Sequence, residues 1–526
     1  MPVLTAIDVL GVQRFVFLSN RLRDVVTGSY LVHWSTSAEG ALKGLVPTDK
    51  ILLAGGGNAI VETGSMQDAR SLAARYIRRL HDEAPGLEVA LVHKEYDDGS
   101  LARTLLDIQI ELARTKTERF PSAPLLGLSV TASCKETGLP AIGFESSEPK
   151  ISLSKEILKR RDKLEEANRH WEAYLKGWDG FAFPMELDQL GRTMGDTSLI
   201  GVVHVDGNSV GSKIKKWLMG KSENGVDGDT VRREYLEWSQ AIDCLGKTAL
   251  QAVVNRICQR LEKTVEDRTE KMKVTGKPAR LAFELKQEDG RWMLPLRPIL
   301  LGGDDLTFVC DGRIALDLAE TALNVFDTSD IPHLGKITAC AGAAMVRVHA
   351  PFARAYDLSE KLCASAKRML KKSNGEGCAL DWHIGISRPG ETVEGIRERQ
   401  YRTNGCWLTC RPYRLGSGKN EAGTWKWLSG TLLDDKITGL NEGAWFRRRN
   451  KVKAFAELAR EGPKSVHAAL EAWKVVDRNL QLPQPIAGNG FFAETRTPLI
   501  DALELLDLHL MLDAAGEHGA EEGKTL

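Results

Sequence analysis

The sequence predicts an α+β protein in which one arrangement of strands and helices occurs twice. Residues 1–112 alternate apolar runs and amphipathic patterns in the order strand, helix, hairpin, helix, strand and helix. Residues 198–386 repeat that order, and each region holds one glycine-rich turn between two apolar runs. This order is typical of helices packed on one face of a mainly antiparallel sheet.

The composition is that of a globular protein with enough material for two to four domains. The chain has 526 residues, of which 42% are hydrophobic and 27% charged. Lys+Arg and Asp+Glu both number 71, which argues against a generally basic surface but not against a local basic groove. Nine cysteines without a CxxC pattern, no leader pattern and no long apolar run predict a cytoplasmic protein without a membrane segment.

The first region begins with an apolar strand at residues 2–9, which ends near Asp8, and continues with helical spacing over residues 11–26. A strand, a glycine turn and a second strand occupy residues 50–62. Two amphipathic helices on either side of a strand complete this region by residue 112. Cys134 follows alone, and we expect it to be a small buried or loop residue because a structural zinc site needs four ligands.

The stretch that follows is expected to link the two regions. Residues 152–178 are predicted to form one long polar helix, a connector whose faces are largely solvated. Residues 221–232 are predicted to form a loop and residues 234–266 a long helix.

The second region opens with a buried strand at residues 199–205 and Asp206 at its end. Gly207-Asn208-Ser209 then begins a helix, whose free N–H groups favour an anion such as phosphate. The alternative is simple N-capping, because Asp and Asn are favoured there.

Two adjacent carboxylates lie in the turn of the second region. Residues 300–310 read LLGGDDLTFVC, two apolar runs joined by Gly302-Gly303-Asp304-Asp305, and glycine supplies the positive φ that a tight turn requires. The paired acids repel each other, and Mg²⁺ or Mn²⁺ would relieve that repulsion. The alternative is a solvated hairpin tip, since Asp and Gly are ordinary turn residues.

The two regions correspond in order but differ in their acidic residues. A helix at 314–326, a strand at 336–348, a helix at 359–372 and a strand at 379–386 complete the second region. Asp8 then matches Asp206, and residues 55–58, GGGN, match residues 302–305, GGDD. Because the first region lacks the acid pair, we expect the chemistry to lie in the second.

Five segments of the chain occur in the order HVDGNSVG, LGGDDLTFV, an alanine-rich strand, SEKLCASAKR and ALDWHIG. Together they resemble the palm domain of the large polymerase-like subunit of type III CRISPR effector complexes. More distantly they resemble GGDEF-type nucleotide cyclases. The resemblance covers about residues 1–415 and implies two ferredoxin-like palm domains, the first degenerate. It also implies four segments, which are residues 1–150 (first palm), 151–195 (helical connector), 196–390 (catalytic GGDD palm) and 391–526 (mainly helical module).

Two features of the chain depart from that family. Many members begin with an HD nuclease domain, whereas this chain begins at the first palm; His81-Asp82 lies in an amphipathic helix and is interpreted as a surface pair. A zinc-binding cysteine set usually separates the palms, and here Cys134 stands alone. A zinc site from Cys378, His383, Cys406 and Cys410 would have irregular spacing.

The resemblance implies a nucleotidyltransferase that converts ATP into cyclic oligoadenylates for antiviral defence, with release of pyrophosphate. Asp206, Asp304 and Asp305 would be catalytic and, with the Gly207 carbonyl, would hold two Mg²⁺ or Mn²⁺ ions. The residues expected to contact the nucleotide are Gly207, Asn208, Ser209, Gly302, Gly303, Lys367 and Ser239. Without the resemblance, Lys367 would be expected to be an exposed lysine on a helix.

The last 110 residues carry no motif. Helices are predicted at 465–476 and 498–512, and the tail from residue 514 is expected to be frayed. The basic stretch at 445–461 could meet RNA or acidic partners, but a solvated helix is the favoured interpretation, because most charge runs are solvated faces.

Three functions are consistent with these observations. The first is the cyclase-type enzyme, and the second is a scaffold subunit that holds guide or target RNA and small CRISPR effector subunits. The third is a stand-alone signalling nucleotide cyclase. The intact set of three aspartates favours an enzyme.

Overall fold

The computed structural model describes residues 1–119, 127–145, 150–190, 199–266, 268–373, 376–403 and 405–512. The predicted frayed tail and residues 191–195 of the predicted connector lie outside the described residues. Within the described ranges, no helix combines the length and the apolar character needed to cross a bilayer.

The first region folds as an antiparallel sheet covered by helices. Its elements are β1 (Val3–Leu10), α1 (Val12–Val16), α2 (Leu22–Thr36), β2 (Ile51–Gly55), β3 (Asn58–Thr63), α3 (Met66–Glu83), β4 (Glu88–Glu95) and α4 (Leu101–Glu118). The strand order is β2-β3-β1-β4, and β1 pairs antiparallel with both neighbours. The predicted order of elements is therefore confirmed.

The helix predicted over residues 11–26 is interrupted. α1 ends at Val16, where the buried guanidinium of Arg160 donates hydrogen bonds to the carbonyl oxygens of Phe15 and Val16. Those carbonyls would otherwise accept bonds within a continuing helix. A partner 144 residues away in sequence thus ends the helix, which no local pattern could indicate.

Between the two regions lie β5 (Gly143–Phe144), β6 (Ser152–Leu153), α5 (Lys155–Asp162), α6 (Leu164–Glu172) and β7 (Phe181–Ala182). The prediction of one long helix over residues 152–178 is wrong, because the chain breaks at Lys163 (φ −97°, ψ 5°). This break lets Arg160 turn inward under α2 while α6 packs Ala167 and Trp171 into the core. Cys134 is buried, as expected for a small core residue.

The second region contains a larger sheet. Its elements are β8 (Leu199–Gly207), α7 (Val210–Glu223), α8 (Gly228–Cys258), β9 (Leu261–Glu266), β10 (Thr269–Val274), β11 (Phe283–Glu284), β12 (Gln287–Glu288), β13 (Arg291–Met293), β14 (Leu296–Leu301), β15 (Asp305–Asp311), α9 (Ala315–Asp327), β16 (Asp330–Ile331), β17 (Gly335–Lys336), β18 (Ala339–Arg347), α10 (Phe352–Lys372) and β19 (Ala379–Ile384). The order β14-β15-β8-β18 reproduces β2-β3-β1-β4, so the two regions share one topology.

Two predictions around α8 are wrong. Residues 221–232 are mostly helical, because α7 extends to Glu223 and Asp227 caps α8 by accepting a hydrogen bond from the backbone of Thr230. The helix predicted to reach residue 266 ends at Cys258, and the following residues form the β9–β10 hairpin. Cross-strand ion pairs such as Lys263–Glu270 and Lys271–Glu266 stabilise this hairpin.

The C-terminal part is mainly helical, as predicted. Its elements are α11 (Val393–Gln400), β20 (Arg402–Thr403), β21 (Cys406–Trp407), β22 (Tyr413–Arg414), α12 (Trp425–Trp427), α13 (Arg449–Glu461), α14 (Pro463–Val476) and α15 (Leu499–Leu506). β22 joins the edge of the large sheet beside β19. Trp425, Trp427 and Trp445 are fully buried, although their sequence surroundings are polar.

Replacing buried His509 with phenylalanine should make the protein more tolerant of acid. His509 contacts Trp425 edge to face at 5.4 Å, and neither ring nitrogen has a hydrogen-bond partner in the part of the chain described. Burial, and to a smaller extent Arg256, lowers its pKa from 6.5 to about 4. Since the unfolded state takes up a proton below 6.5 and the folded state does not, stability is lost as the pH falls from 6.5 towards 4.

His509→Phe removes this loss, so its melting temperature relative to the wild type should rise on acidification through that window. Circular dichroism melts on both sides of the window measure the difference. The control is His81→Gln, which removes an exposed imidazole from the surface. A pH-independent difference for His509→Phe would contradict the argument.

Candidate active site

The glycine turn brings the three predicted aspartates together. β14 and β15 are joined by Gly302, Gly303 (φ 81°) and Asp304. The N–H of Gly302 donates to the carbonyl of Asp305 at 2.8 Å, which closes the turn. Asp305 lies directly opposite Asp206 in the antiparallel β15–β8 pair, so their side chains share one face of the sheet.

The carboxylates crowd one another. Burial, together with Asp206 and Asp305, raises the pKa of Asp304 to about 6. Burial, with Asp206 and Glu360, raises the pKa of Asp305 to about 8. One oxygen of Asp305 is accessible, while Oδ1 is buried without a hydrogen bond and lies 3.3 Å from His204 Nδ1.

Lys367 on α10 supplies a positive charge to this cluster. Its Nζ donates to Asp206 Oδ2 at 2.6 Å and to the Gly207 carbonyl at 2.8 Å. Burial acts to lower the pKa of Lys367, but Asp206 outweighs it and the pKa is raised. Lys367 is thus a half-buried cation in direct contact with the acids.

The donor atoms suit a hard divalent cation. Three carboxylates and one backbone carbonyl are the oxygen ligands that Mg²⁺ and Mn²⁺ prefer. One ammonium faces three carboxylates, and the buried Oδ1 of Asp305 accepts no hydrogen bond within the described residues. The residues present therefore fit a metal ion.

A softer ligand set is also close by, because His204, Asp206 and Cys363 place their ligand atoms within 4.8 Å of one another. Burial raises the pKa of the Cys363 thiol well above its usual value, and Sγ donates to the carbonyl of Cys340. A protonated thiol is a poor metal ligand, so the oxygen set is the better site.

The predicted anion site at the start of α7 is only partly as expected. Asn208 Nδ2 donates to Thr338 Oγ1 at 3.0 Å, so Asn208 ties β8 to the segment before β18 and does not cap the helix. Ser209 (φ 60°) occupies the N-cap without a side-chain hydrogen bond. The capping alternative therefore fails, and the first N–H groups of α7 lack a side-chain cap.

A cavity of about 450 Å³ lies between the two regions. The second region lines it with Ser239, Gly302, Gly303, Asp304 and the start of α7, and the first region with Asp8, Asn58 and Lys116. The two glycine turns face each other, since a Cβ on Gly56 would lie 3.2 Å from the Gly302 carbonyl oxygen. Asn208 and Ser209 are not among its lining residues.

Lys116 is the counterpart of Lys367 in the first region, and it is not among the residues predicted from the sequence. In the first region Lys116 on α4 forms an ion pair with Asp8, as Lys367 on α10 does with Asp206. Both helices follow the fourth strand of their sheet. A shared AxxK pattern, at residues 113–116 and 364–367, could have revealed the match.

Known proteins resemble this chain in structure only. No model of a known protein family matches it, and no curated protein matches it in sequence. The crystal structure of Csm1 from T. onnurineus matches with a TM-score of 0.53 and 14% identity. Csm1–Csm4 cassettes in complex with one ATP and with cA3 match with TM-scores of 0.51 and 0.50, at 14% and 13% identity. Each match covers 97% of this chain and 70% of the other.

The fold and the acidic hairpin define an α+β protein of the palm type with two related sheets. Its architecture is similar to that of Csm1, so the resemblance to the large subunit of type III CRISPR complexes is confirmed at the level of the fold.

Proposed function

We propose that this protein is a Mg²⁺- or Mn²⁺-dependent nucleotidyltransferase that converts ATP into cyclic oligoadenylate-type messengers in antiviral defence. The observation that carries the proposal is the convergence of Asp206, Asp304 and Asp305 at one hairpin, where Asp305 lies opposite Asp206 and Asp304 lines the cavity between the two regions. Csm1–Csm4 cassettes of similar fold were solved with ATP and with cA3, which supports ATP as the substrate.

In the reaction, a 3′-hydroxyl oxygen attacks the α-phosphorus of a second ATP and its proton passes to water. The bond between that phosphorus and the oxygen bridging to the β-phosphate breaks, and pyrophosphate leaves with this oxygen. The aspartates and the Gly207 carbonyl would hold the metal ions, which supply charge neutralisation and a lower pKa of the hydroxyl. Lys367 would exchange part of its contact with Asp206 for a phosphate oxygen. The first N–H groups of α7 add a positive dipole end near the phosphates.

The experiment is a product assay with purified protein, each nucleoside triphosphate and Mg²⁺ or Mn²⁺, analysed by mass spectrometry. We expect a cyclic oligoadenylate from the wild type and none from Asp304→Ala/Asp305→Ala. The matched control, Asp82→Ala/Glu457→Ala, removes two exposed carboxylates that do not line the cavity and should retain activity. Equal product from both variants would refute the proposed site.

The second candidate is a non-catalytic scaffold, which is favoured by the fact that the neighbours are Csm1–Csm4 cassettes. In that case a Csm4-like subunit and guide or target RNA would copurify with the protein. If those partners are supplied and no nucleotide product forms, the scaffold becomes the better proposal. If product forms without them, the protein is a stand-alone nucleotide cyclase.

A further inference from the structure

A second cavity, of about 630 Å³, lies between the last turns of α10, helix α11 and the C-terminal module. It is distinct from the cavity of the aspartates and shares no lining residue with it. The two sites lie on different sides of α10, because Lys367 faces Asp206 whereas the next residue, Arg368, lines the second cavity. Its volume is in the range of small-molecule sites.

The lining of this cavity is strongly basic. Five cations, Arg368, Lys372, Arg397, Arg411 and Arg496, face two acids, Glu394 and Glu398. Arg368 is paired with Glu394. Lys372 and Arg496 are exposed and form no ion pair within the described ranges of the chain, so both are free to meet an anion.

The wall of the cavity contains buried positive charge. Arg397 is 7% exposed and Arg411 4% exposed, and each is held by a carboxylate, Asp381 and Asp501 respectively. In the described part of the chain, Arg397 Nη1 and Arg411 Nη2 still lack hydrogen-bond partners. Burial and then these two arginines lower the pKa of nearby His383 to about 3, in keeping with a positive local potential.

An aromatic surface accompanies the charge. Trp407 is half-buried at the cavity, and its backbone bridges to that of Arg496. The Arg402 guanidinium lies 5.3 Å from the centre of the indole and covers one of its faces, so a base would stack on the other. Indole faces stack on nucleobases, and guanidinium and ammonium groups bind phosphate. Neither the charge nor the tryptophan alone would select a nucleotide, but both together match its two parts.

We propose that this cavity binds a nucleoside phosphate, with the base against Trp407 and the phosphate at Lys372 and Arg496. The ligand can be a mononucleotide or the end of a single-stranded RNA, which present the same chemistry. The proposal does not depend on the nucleotidyltransferase activity, since none of these residues lines the palm cavity.

The test is calorimetric titration of the full-length chain carrying Asp304→Ala/Asp305→Ala, so that binding at the palm site is weakened. The probes are AMP, a 5′-phosphorylated tetra-adenylate RNA and inorganic phosphate. In this background, Lys372→Glu/Arg496→Glu should lower the affinity for AMP and for the RNA by about tenfold or more, because each lost phosphate contact is charge-assisted. The control Lys436→Glu/Arg478→Glu makes the same charge change at exposed sites elsewhere and should leave the affinity unchanged.

Trp407→Leu should lower the affinity for AMP and for the RNA. It should leave the affinity for inorganic phosphate unchanged, because phosphate has no base to stack. RNA binding much tighter than AMP would assign the ligand as a strand end, and equal binding would assign a mononucleotide. Lys372→Gln/Arg496→Gln, which avoids new negative charge, serves if the reversal variant fails to fold. Equal affinities in the reversal and control variants would overturn the proposal. The proposal would also be overturned if none of the probes binds and charge reversal instead abolishes the copurification of a protein subunit.

Discussion

Asp305→Asn is expected to lower the rate of product formation by roughly 10²- to 10⁴-fold, the range seen when one essential electrostatic group is removed. Asparagine keeps the size of the side chain and can stay opposite Asp206 across the β15–β8 pair. It lacks the negative charge that would hold a metal ion beside the phosphates. The rate under saturating ATP and Mg²⁺ is the measurement.

The same change is expected to stabilise the metal-free protein at alkaline pH. The folded-state pKa of Asp305, about 8, lies above the ordinary value of 3.8. The folded state therefore keeps a proton that the unfolded state releases, and stability falls as the pH rises between those two values. Asp305→Asn removes this loss, so its melting temperature without metal should exceed that of the wild type most clearly near the upper end of the window.

Added Mg²⁺ should reverse the comparison, because it raises the melting temperature of the wild type and leaves Asp305→Asn nearly unchanged. Asp357→Asn, on the exposed side of α10, is the matched control for loss of one carboxylate. If Asp305→Asn melts lower than the wild type at every pH in the absence of metal, the proposed crowding of the carboxylates is wrong.

Gly246→Ala is expected to reduce both stability and activity, although alanine is the better helix former. Gly246 lies in α8 against the glycine turn, and a Cβ there would be 2.1 Å from the carbonyl oxygen of Gly303. The helix gains about 1 kcal/mol from the exchange, but overpacking costs typically 1–3 kcal/mol and must displace the turn. A shift of about 1 Å at Asp304 is enough to lower the rate about 100-fold.

Gly220→Ala provides the matched control on α7, where an added Cβ meets nothing within 4 Å. We expect it to raise the free energy of unfolding by about 0.5–1 kcal/mol without a change in rate. Denaturant unfolding and the product assay on both variants test the pair. Gly246→Ala with the stability gain and full activity of Gly220→Ala would show that the turn does not rest on α8.

The parts of the fold that local sequence determines could be predicted. The hairpin around Gly302-Gly303, the strand ending beside Asp206 and the repeated order of elements follow from turn chemistry and apolar periodicity. The break at Lys163 could not be predicted, because it depends on Arg160 binding carbonyls in another region. In the β9–β10 hairpin one face is polar, and the other packs Leu261, Met272 and Val274 against the core between charged residues. The hairpin depends on cross-strand ion pairs that no local pattern indicates.

The candidate site shows the same division. The acids of one hairpin are adjacent in sequence, so their proximity required no knowledge of the fold. Lys116 and Asp8 are far apart in sequence, and only the pairing of two sheets brings them to the cavity. The basic cavity beside Trp407 joins segments from α10, α11 and residue 496, which no motif connects.

The facing glycine turns make the cavity a property of the contact between the two halves. With Gly56 close to Gly302, both halves contribute to its lining and neither encloses it alone. A chain cut between the halves should give two fragments without the proposed activity, which should return only when the fragments reassociate. For the same reason, a binding partner that widens or narrows the contact between the halves by a fraction of an ångström would change the rate of the proposed reaction. It would do so without touching the proposed catalytic residues.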